Sequence, residues 1–230
     1  EYPSSGADGR LLVEAAEKRG WKWDRVPVGS TGRLVENGEA IVKWLQENGD
    51  RPTVLASISK GGSDIVQALR HRDADEAFRN VVGWVNVCGI INGSPVVDAM
   101  SKRRLAMLGF RLMFFLRRWT FQSVLDLRYG GGTLRGGFAL PKRMKTVHVL
   151  GFPDEADFVH SRLRSFRNLV GSIGPNDGAI LLLDSIHSQG VVYPVRGADH
   201  YMRPRHKVQP LINGILDYLM TDDSQGPVDV

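Results

Sequence analysis

Short apolar runs alternate with blocks of helical periodicity along most of this chain, and that rhythm leaves few architectures open. Thr53–Ile58 is a brief apolar run held between Pro52 and a Lys60-Gly61-Gly62 turn, and it reads as a buried parallel strand. Val81–Ile91, Thr146–Leu150 and Gly190–Val195 read as further buried strands, and Trp21–Val28, with Trp21, Trp23, Val26 and Val28 alternating, as a short one. Between them lie helical patterns. Leu11, Leu12, Ala15 and Ala16 precede the stop at Gly20, and Leu34, Ile41, Val42 and Leu45 precede Asn48-Gly49. Ser63–Leu69 follows the first buried run, and Val208–Leu219 closes the chain with Leu211, Ile212, Ile215, Leu216 and Leu219 on one face. Strand and helix in this order predict an α/β fold, a mostly parallel sheet flanked by helices.

One interval breaks the pattern. Ser101–Pro141 holds a Met- and Phe-rich run, Leu105–Leu116, then a glycine-heavy loop with Gly130-Gly131-Gly132 and Gly136-Gly137. It is too long for an ordinary connection between core strands, and is expected to be a helical cap over the carboxyl edge of the sheet, spanning about 101–141. The remaining chain is expected to form one domain over residues 1–230. With 42% hydrophobic and 24% charged residues, it has the composition of a packed soluble domain. No apolar stretch is long enough to span a bilayer. The single cysteine, Cys88, forbids an internal disulfide, which fits a reducing, cytoplasmic setting, and it lies in an apolar run as a small core residue. The net charge of +5 favours anionic partners only weakly. Aromatic residues do not interleave with the basic ones as in a nucleic-acid module, so no nucleic-acid partner is expected.

The segment richest in chemistry is Ser57-Ile58-Ser59-Lys60-Gly61-Gly62, where a strand runs straight into a helix through a tight turn. A hydroxyl at the tip of such a turn needs a strained backbone, and bulky residues two positions either side would collide. Ser57 and Gly61 are both small. The helix that follows directs its first amides at the tip, where they can meet a developing negative charge. A phosphate-cradling loop is a poorer match, because the order here is Lys-Gly-Gly-Ser with no glycine upstream.

Ser57-Ile58-Ser59-Lys60-Gly61 resembles the G-x-S-x-G turn of the α/β-hydrolase superfamily, with serine in place of the first glycine. The resemblance implies a serine hydrolase of lipase or esterase kind, with Ser59 as nucleophile and the backbone N–H of Lys60 as first oxyanion donor. An alcohol needs a base within reach. Of six histidines, His71 lies in a charged run, His148 inside a strand, His160 and His187 in polar helix-like segments, and His206 among basic neighbours. His200 closes the strand-and-loop stretch Val191–Met202, with Gly197-Ala198-Asp199-His200 ahead of the last helix, where the resemblance places the catalytic base. The acid should lie between Thr146–Leu150 and the histidine strand. Asp177, in Pro175-Asn176-Asp177-Gly178, resembles the acid-bearing turn of lipase-like members; Asp154 and Asp157, with Glu155 between them, remain rivals. Asp199 adjoins His200 and cannot readily reach around to its neighbour's ring.

The second oxyanion donor of the superfamily comes from a loop that only Glu1–Asp8 could supply here, around Ser4, Ser5 and Gly6, with the expected strand ahead of it missing. Such a chain is expected to lack N-terminal strands and to leave a sheet edge exposed. In the cap, Arg104, Arg111 and Arg118 recur every seven residues, beside Arg103 and Arg117. Leu105, Leu108, Leu112 and Phe115 cover the rest of that helix. It either packs on the sheet with its arginines solvated, or receives an acyl chain or an anionic lipid surface. The expected substrate is a small or lipid-like acyl compound, with no metal and no organic cofactor. Thioester or peptide cleavage by the same residues, or a non-catalytic binding role, are the alternatives.

Overall fold

The computed structural model describes residues 9–129, 132–158, 161–203 and 209–221. Four strands form one sheet in the order β1 (Thr53–Ile58), β2 (Val81–Val87), β3 (Lys145–Phe152), β4 (Val191–Arg196), and every neighbouring pair is parallel. Parallel strands need crossovers, and helices supply them. In chain order these are α1 (Arg10–Lys18), α2 (Leu34–Asn48), α3 (Lys60–Leu69), α4 (Ala74–Ala77), α5 (Pro95–Ser101), α6 (Arg104–Leu116), α7 (Gln122–Leu125), α8 (Ser161–Val170) and α9 (Gln209–Met220).

Two apolar cores sandwich the sheet. On one face Leu34, Ile41, Val42 and Leu45 of α2 and Ile65, Val66 and Ala68 of α3 pack with Leu55 and Trp84. On the other, Ala15 of α1 and Ile212, Ile215, Leu216 and Leu219 of α9 pack with Val85, Val147, Val149 and Val195. Each buried valine, leucine or isoleucine there contributes roughly 1.5–3 kcal/mol, so the helical stripes hold the crossovers against the strands.

Two strand expectations are corrected. Trp21–Val28 is irregular extended chain with Trp23 exposed, because among the described residues no strand pairs with it. The run Val81–Ile91 stops being strand at Val87. Cys88 takes φ 44, and its N–H reaches the Val149 carbonyl (2.8 Å). Among the described residues β1 and β4 have one strand partner each, so both edges of the sheet lack a further strand. No described helix is long and apolar enough to cross a membrane.

Three helices, α5 to α7, occupy the interval between β2 and β3. Within α6 Phe114 is buried, and its ring meets Phe110 (5.0 Å), Trp119 (5.4 Å) and Phe121 (5.8 Å). Arg118 is not on this helix: α6 ends at Leu116 and Arg118 takes φ 56, so the seven-residue stripe keeps only Arg104 and Arg111.

Candidate active site

The turn after β1 is tied down from three directions. Ser59 takes φ 53, ψ −121, a region non-glycine residues avoid at about 1–3 kcal/mol, so the surroundings must over-determine it. Its N–H donates to the Val87 carbonyl, and its own carbonyl accepts from Gly62 and Ile90 (3.0 Å each). Space around the turn is short, most of all at Gly62. A Cβ on Gly61 would stand 3.3 Å from the Ser57 Cβ, and one on Gly62 would meet the Asn86 side chain at 2.7 Å and the Gly89 Cα at 2.8 Å. Gly62→Ala is therefore expected to lower the urea unfolding free energy by about 1–3 kcal/mol and to disturb Ser59 with it. Unchanged stability in a chemical melt would contradict this packing argument.

Ser57, standing where the superfamily pattern has glycine, finds polar partners below the turn. Its hydroxyl accepts the Trp84 Nε1–H (2.9 Å) and pairs with the Asn86 side chain (3.2 Å). The Asn86 amide also meets His148 Nδ1 (3.1 Å), and the His187 backbone N–H donates to His148 Nε2 (3.1 Å). In this arrangement the Asn86 amide nitrogen faces the ring and its oxygen accepts the Ser57 hydroxyl. Burial, and then the nearby His187, push His148 down to about 4. It is a buried core histidine.

This depression makes a pH prediction. The unfolded chain takes up the His148 proton near its ordinary value of 6.5, before the folded chain does. Its stabilising share is thus intact above about pH 6.5, shrinks as pH falls towards 4, and totals roughly 3 kcal/mol. The unfolding free energy from urea melts should fall by about 2 kcal/mol more in wild type than in His148→Gln between pH 7.5 and 5. Parallel profiles would refute it.

Above that network three distant stretches converge. His200 Nε2 lies 2.9 Å from Ser59 Oγ, and His200 Nδ1 lies 2.8 Å from Asp177 Oδ2. Asp177 and His200 are buried. A ring N–H donating to the carboxylate leaves Nε2 free to accept the serine hydroxyl proton. The Asp177 carboxylate is clamped: its Oδ1 accepts the N–H groups of Ala179 (2.9 Å) and Ile180 (3.0 Å). Gly178, at φ 98, makes this turn possible, and the His200 N–H donates back to the Asp177 carbonyl (3.2 Å). Tyr201 packs edge-on to the imidazole, 5.1 Å between ring centres.

The rival carboxylates go elsewhere. Asp157 accepts the Asp154 N–H (2.8 Å) in an exposed turn, and Glu155 approaches Arg167 (3.9 Å). Asp199 Oδ1 accepts from Tyr201 and Arg203 (2.9 and 3.2 Å) rather than meeting its neighbour's ring. His71 Nδ1 accepts the Asp73 backbone N–H (3.2 Å), and His187 donates to the Phe138 carbonyl. His160, His206 and the loop Glu1–Asp8 lie outside the described residues. As first residue of α3, Lys60 has an amide with no acceptor inside the helix. Its ammonium holds Asp64 (2.7 Å), a carboxyl that burial raises above its ordinary range despite that cation.

Sequence reasoning missed Cys88 as a neighbour of the site. Its sulfur lies within 4.8 Å of ligand atoms of Asp177 and His200, a set able in principle to hold a metal ion. Burial, followed by the Asp177 charge, pushes the thiol well above its ordinary value, while the Gly151 N–H donates to it (3.3 Å). A protonated thiol is a poor ligand, and His200 and Asp177 already bind each other, so the group does not fit a metal. The unusual φ of Cys88 delivers its sulfur here; sequence offered no sign of that bend. A surface groove of about 570 Å³ lies between β4 and α9 and includes neither Ser59 nor His200.

A parallel sheet carrying a strained serine turn after one strand, with helices on both faces, has the α/β-hydrolase type of fold, like bacterial lipases and esterases. Solved structures bear the likeness. A Bacillus licheniformis lipase in mature form superposes with TM-score 0.66 at 20% identity, over 91% of this chain and 86% of that one. A metagenomic carboxyl esterase gives TM-score 0.69 at 19% identity, over 90% of this chain and 68% of that one. No protein-family model and no curated protein sequence matches.

Proposed function

We propose that this chain is a serine hydrolase that cleaves a carboxylic ester through an acyl-enzyme. The observation that carries the proposal is the continuous Ser59–His200–Asp177 hydrogen-bond chain, at 2.9 and 2.8 Å, assembled at the end of a strained turn. In this reading Ser59 Oγ attacks the ester carbonyl carbon as His200 Nε2 takes the hydroxyl proton. The carbonyl oxygen becomes an oxyanion facing the Lys60 N–H. Collapse of the tetrahedral intermediate breaks the C–O bond, and His200 hands its proton to the departing alcohol. Water then repeats the sequence on the acyl-serine and releases the acid, restoring Ser59. Asp177 holds the ring's tautomer and stabilises its transient positive charge.

The structural neighbours, a lipase and a carboxyl esterase, support an ester substrate over a thioester or peptide, which the same three groups could attack. The interval of about 101–141 serves in this proposal as a cap, since it leaves the sheet from the carboxyl edge that bears Ser59. The test is covalent labelling with a fluorophosphonate probe, followed by a panel of p-nitrophenyl esters, thioesters and peptide anilides. Wild type should be labelled at Ser59 and should turn over esters fastest; Ser59→Ala should do neither. A folded wild type that takes no label and cleaves nothing would make the chain a binding protein on a hydrolase frame.

A further inference from the structure

The apolar surface of α6 points the wrong way for a helix that merely packs. Leu105 is 87% exposed, Leu108 66%, Leu112 56%, Phe115 77% and Leu116 72%. At about 100° per residue these five fall within one arc of roughly 100°. Phe114, across the helix, already fills the interior against Phe110, Trp119 and Phe121. The inward face is thus satisfied and the outward one is not. Exposed apolar patches of this kind mark interaction surfaces.

Charge identifies what meets it. Arg104 and Arg111 lie on α6 beside the patch, Lys102, Arg103, Arg117 and Arg118 adjoin the two ends of the helix in the chain, and the sequence carries no acid between Asp98 and Asp126. None of the six forms an ion pair among the described residues; Arg111 lies over the Phe121 ring (5.9 Å) and Arg117 over Trp119 (4.8 Å). Arg104 and Arg111 border the leucine arc along one side, where their long stems can lie beside apolar surface while the guanidinium groups reach outward. We infer that the outward face of α6 docks on an anionic lipid bilayer, its leucines and phenylalanine entering the acyl boundary and its cations meeting the phosphate headgroups. A second copy of this chain is the poorer occupant, because face-to-face pairing would bring two such cationic rims together. The inference rests on this surface alone and does not require the hydrolase assignment.

Sedimentation of the full chain with vesicles tests it, comparing phosphatidylcholine alone with a mixture holding about 30% phosphatidylglycerol. The anionic vesicles should bind about tenfold more tightly or better, and raising salt from roughly 0.05 to 0.5 M should erase most of the gain. Leu108→Glu/Phe115→Glu should weaken binding to both vesicle types by about tenfold or more. Arg104→Gln/Arg111→Gln should chiefly reduce the preference for phosphatidylglycerol. Both variants should keep the wild-type thermal midpoint and the rate on a water-soluble short-chain ester, so failure of the esterase reading leaves the binding result interpretable. Equal binding to neutral and anionic vesicles, no binding at all, or wild-type binding by the Leu108→Glu/Phe115→Glu protein overturns the inference. So does a concentration-dependent dimer that the same double variant abolishes.

Discussion

Ser59→Ala is expected to lower ester turnover by about 100,000-fold, the largest effect of any single change in this protein. The hydroxyl is the only group at the tip of the β1–α3 turn that His200 Nε2 can deprotonate, 2.9 Å away. In the proposed reaction, removing it takes away the acyl-enzyme route and leaves only binding and the turn's amides to act on substrate. The backbone at Ser59 is held by Val87, Gly62 and Ile90, so losing one oxygen should leave the fold and the thermal midpoint nearly unchanged. Because the groups act as a unit, a double Ser59→Ala/His200→Ala protein should be hardly slower than either single variant. Kinetics on a chromogenic ester decide the matter. A Ser59→Ala protein retaining about a tenth of wild-type activity would remove Ser59 from the reaction.

Asp177→Asn should reduce kcat by about 10,000-fold while leaving KM and stability close to wild type. The reason lies in the clamp on the carboxylate. Two backbone N–H groups, from Ala179 and Ile180, bind one oxygen and require an acceptor there. An asparagine must place its carbonyl in that position, which aims its NH₂ at His200 Nδ1. The ring then has to accept at Nδ1 and carry its proton on Nε2, where it can no longer receive the one from Ser59. Asp154→Asn and Asp157→Asn, in their exposed turn, should stay within about twofold of wild type. Equal losses at Asp154 or Asp157 would transfer the acid's role to that turn.

Much of this arrangement could be read from residue order, because its determinants are local. The serine turn needs small residues at 57 and 61, and Pro175-Asn176-Asp177-Gly178 forms its own turn through the Gly178 φ of 98°. The helices α2 and α9 announced their buried stripes in the same way. What resisted reading depended on partners far away in the chain. Trp21–Val28 alternates correctly for a strand, yet a strand exists only where another chain segment pairs with it. The strand after residue 81 ended at Cys88, whose turn is fixed by Val149 and Gly151 more than 60 positions on. Sequence spread Leu105, Leu108, Leu112 and Phe115 over the helix beside its arginines but could not say which side faced inward. The ring cluster around Phe114 claimed the interior, leaving the leucines outside.

The Ser57 hydroxyl, held by Trp84 and Asn86, changes what should be sought in genomes. Space at that position is a steric demand, whereas the absence of a polar atom is not one, so an indole and an amide beneath the turn make a hydroxyl as welcome as a bare hydrogen. Searches keyed to a glycine-headed pentapeptide pass over chains built this way. A pattern that admits serine there and asks for tryptophan and asparagine two residues apart on the following strand would collect them.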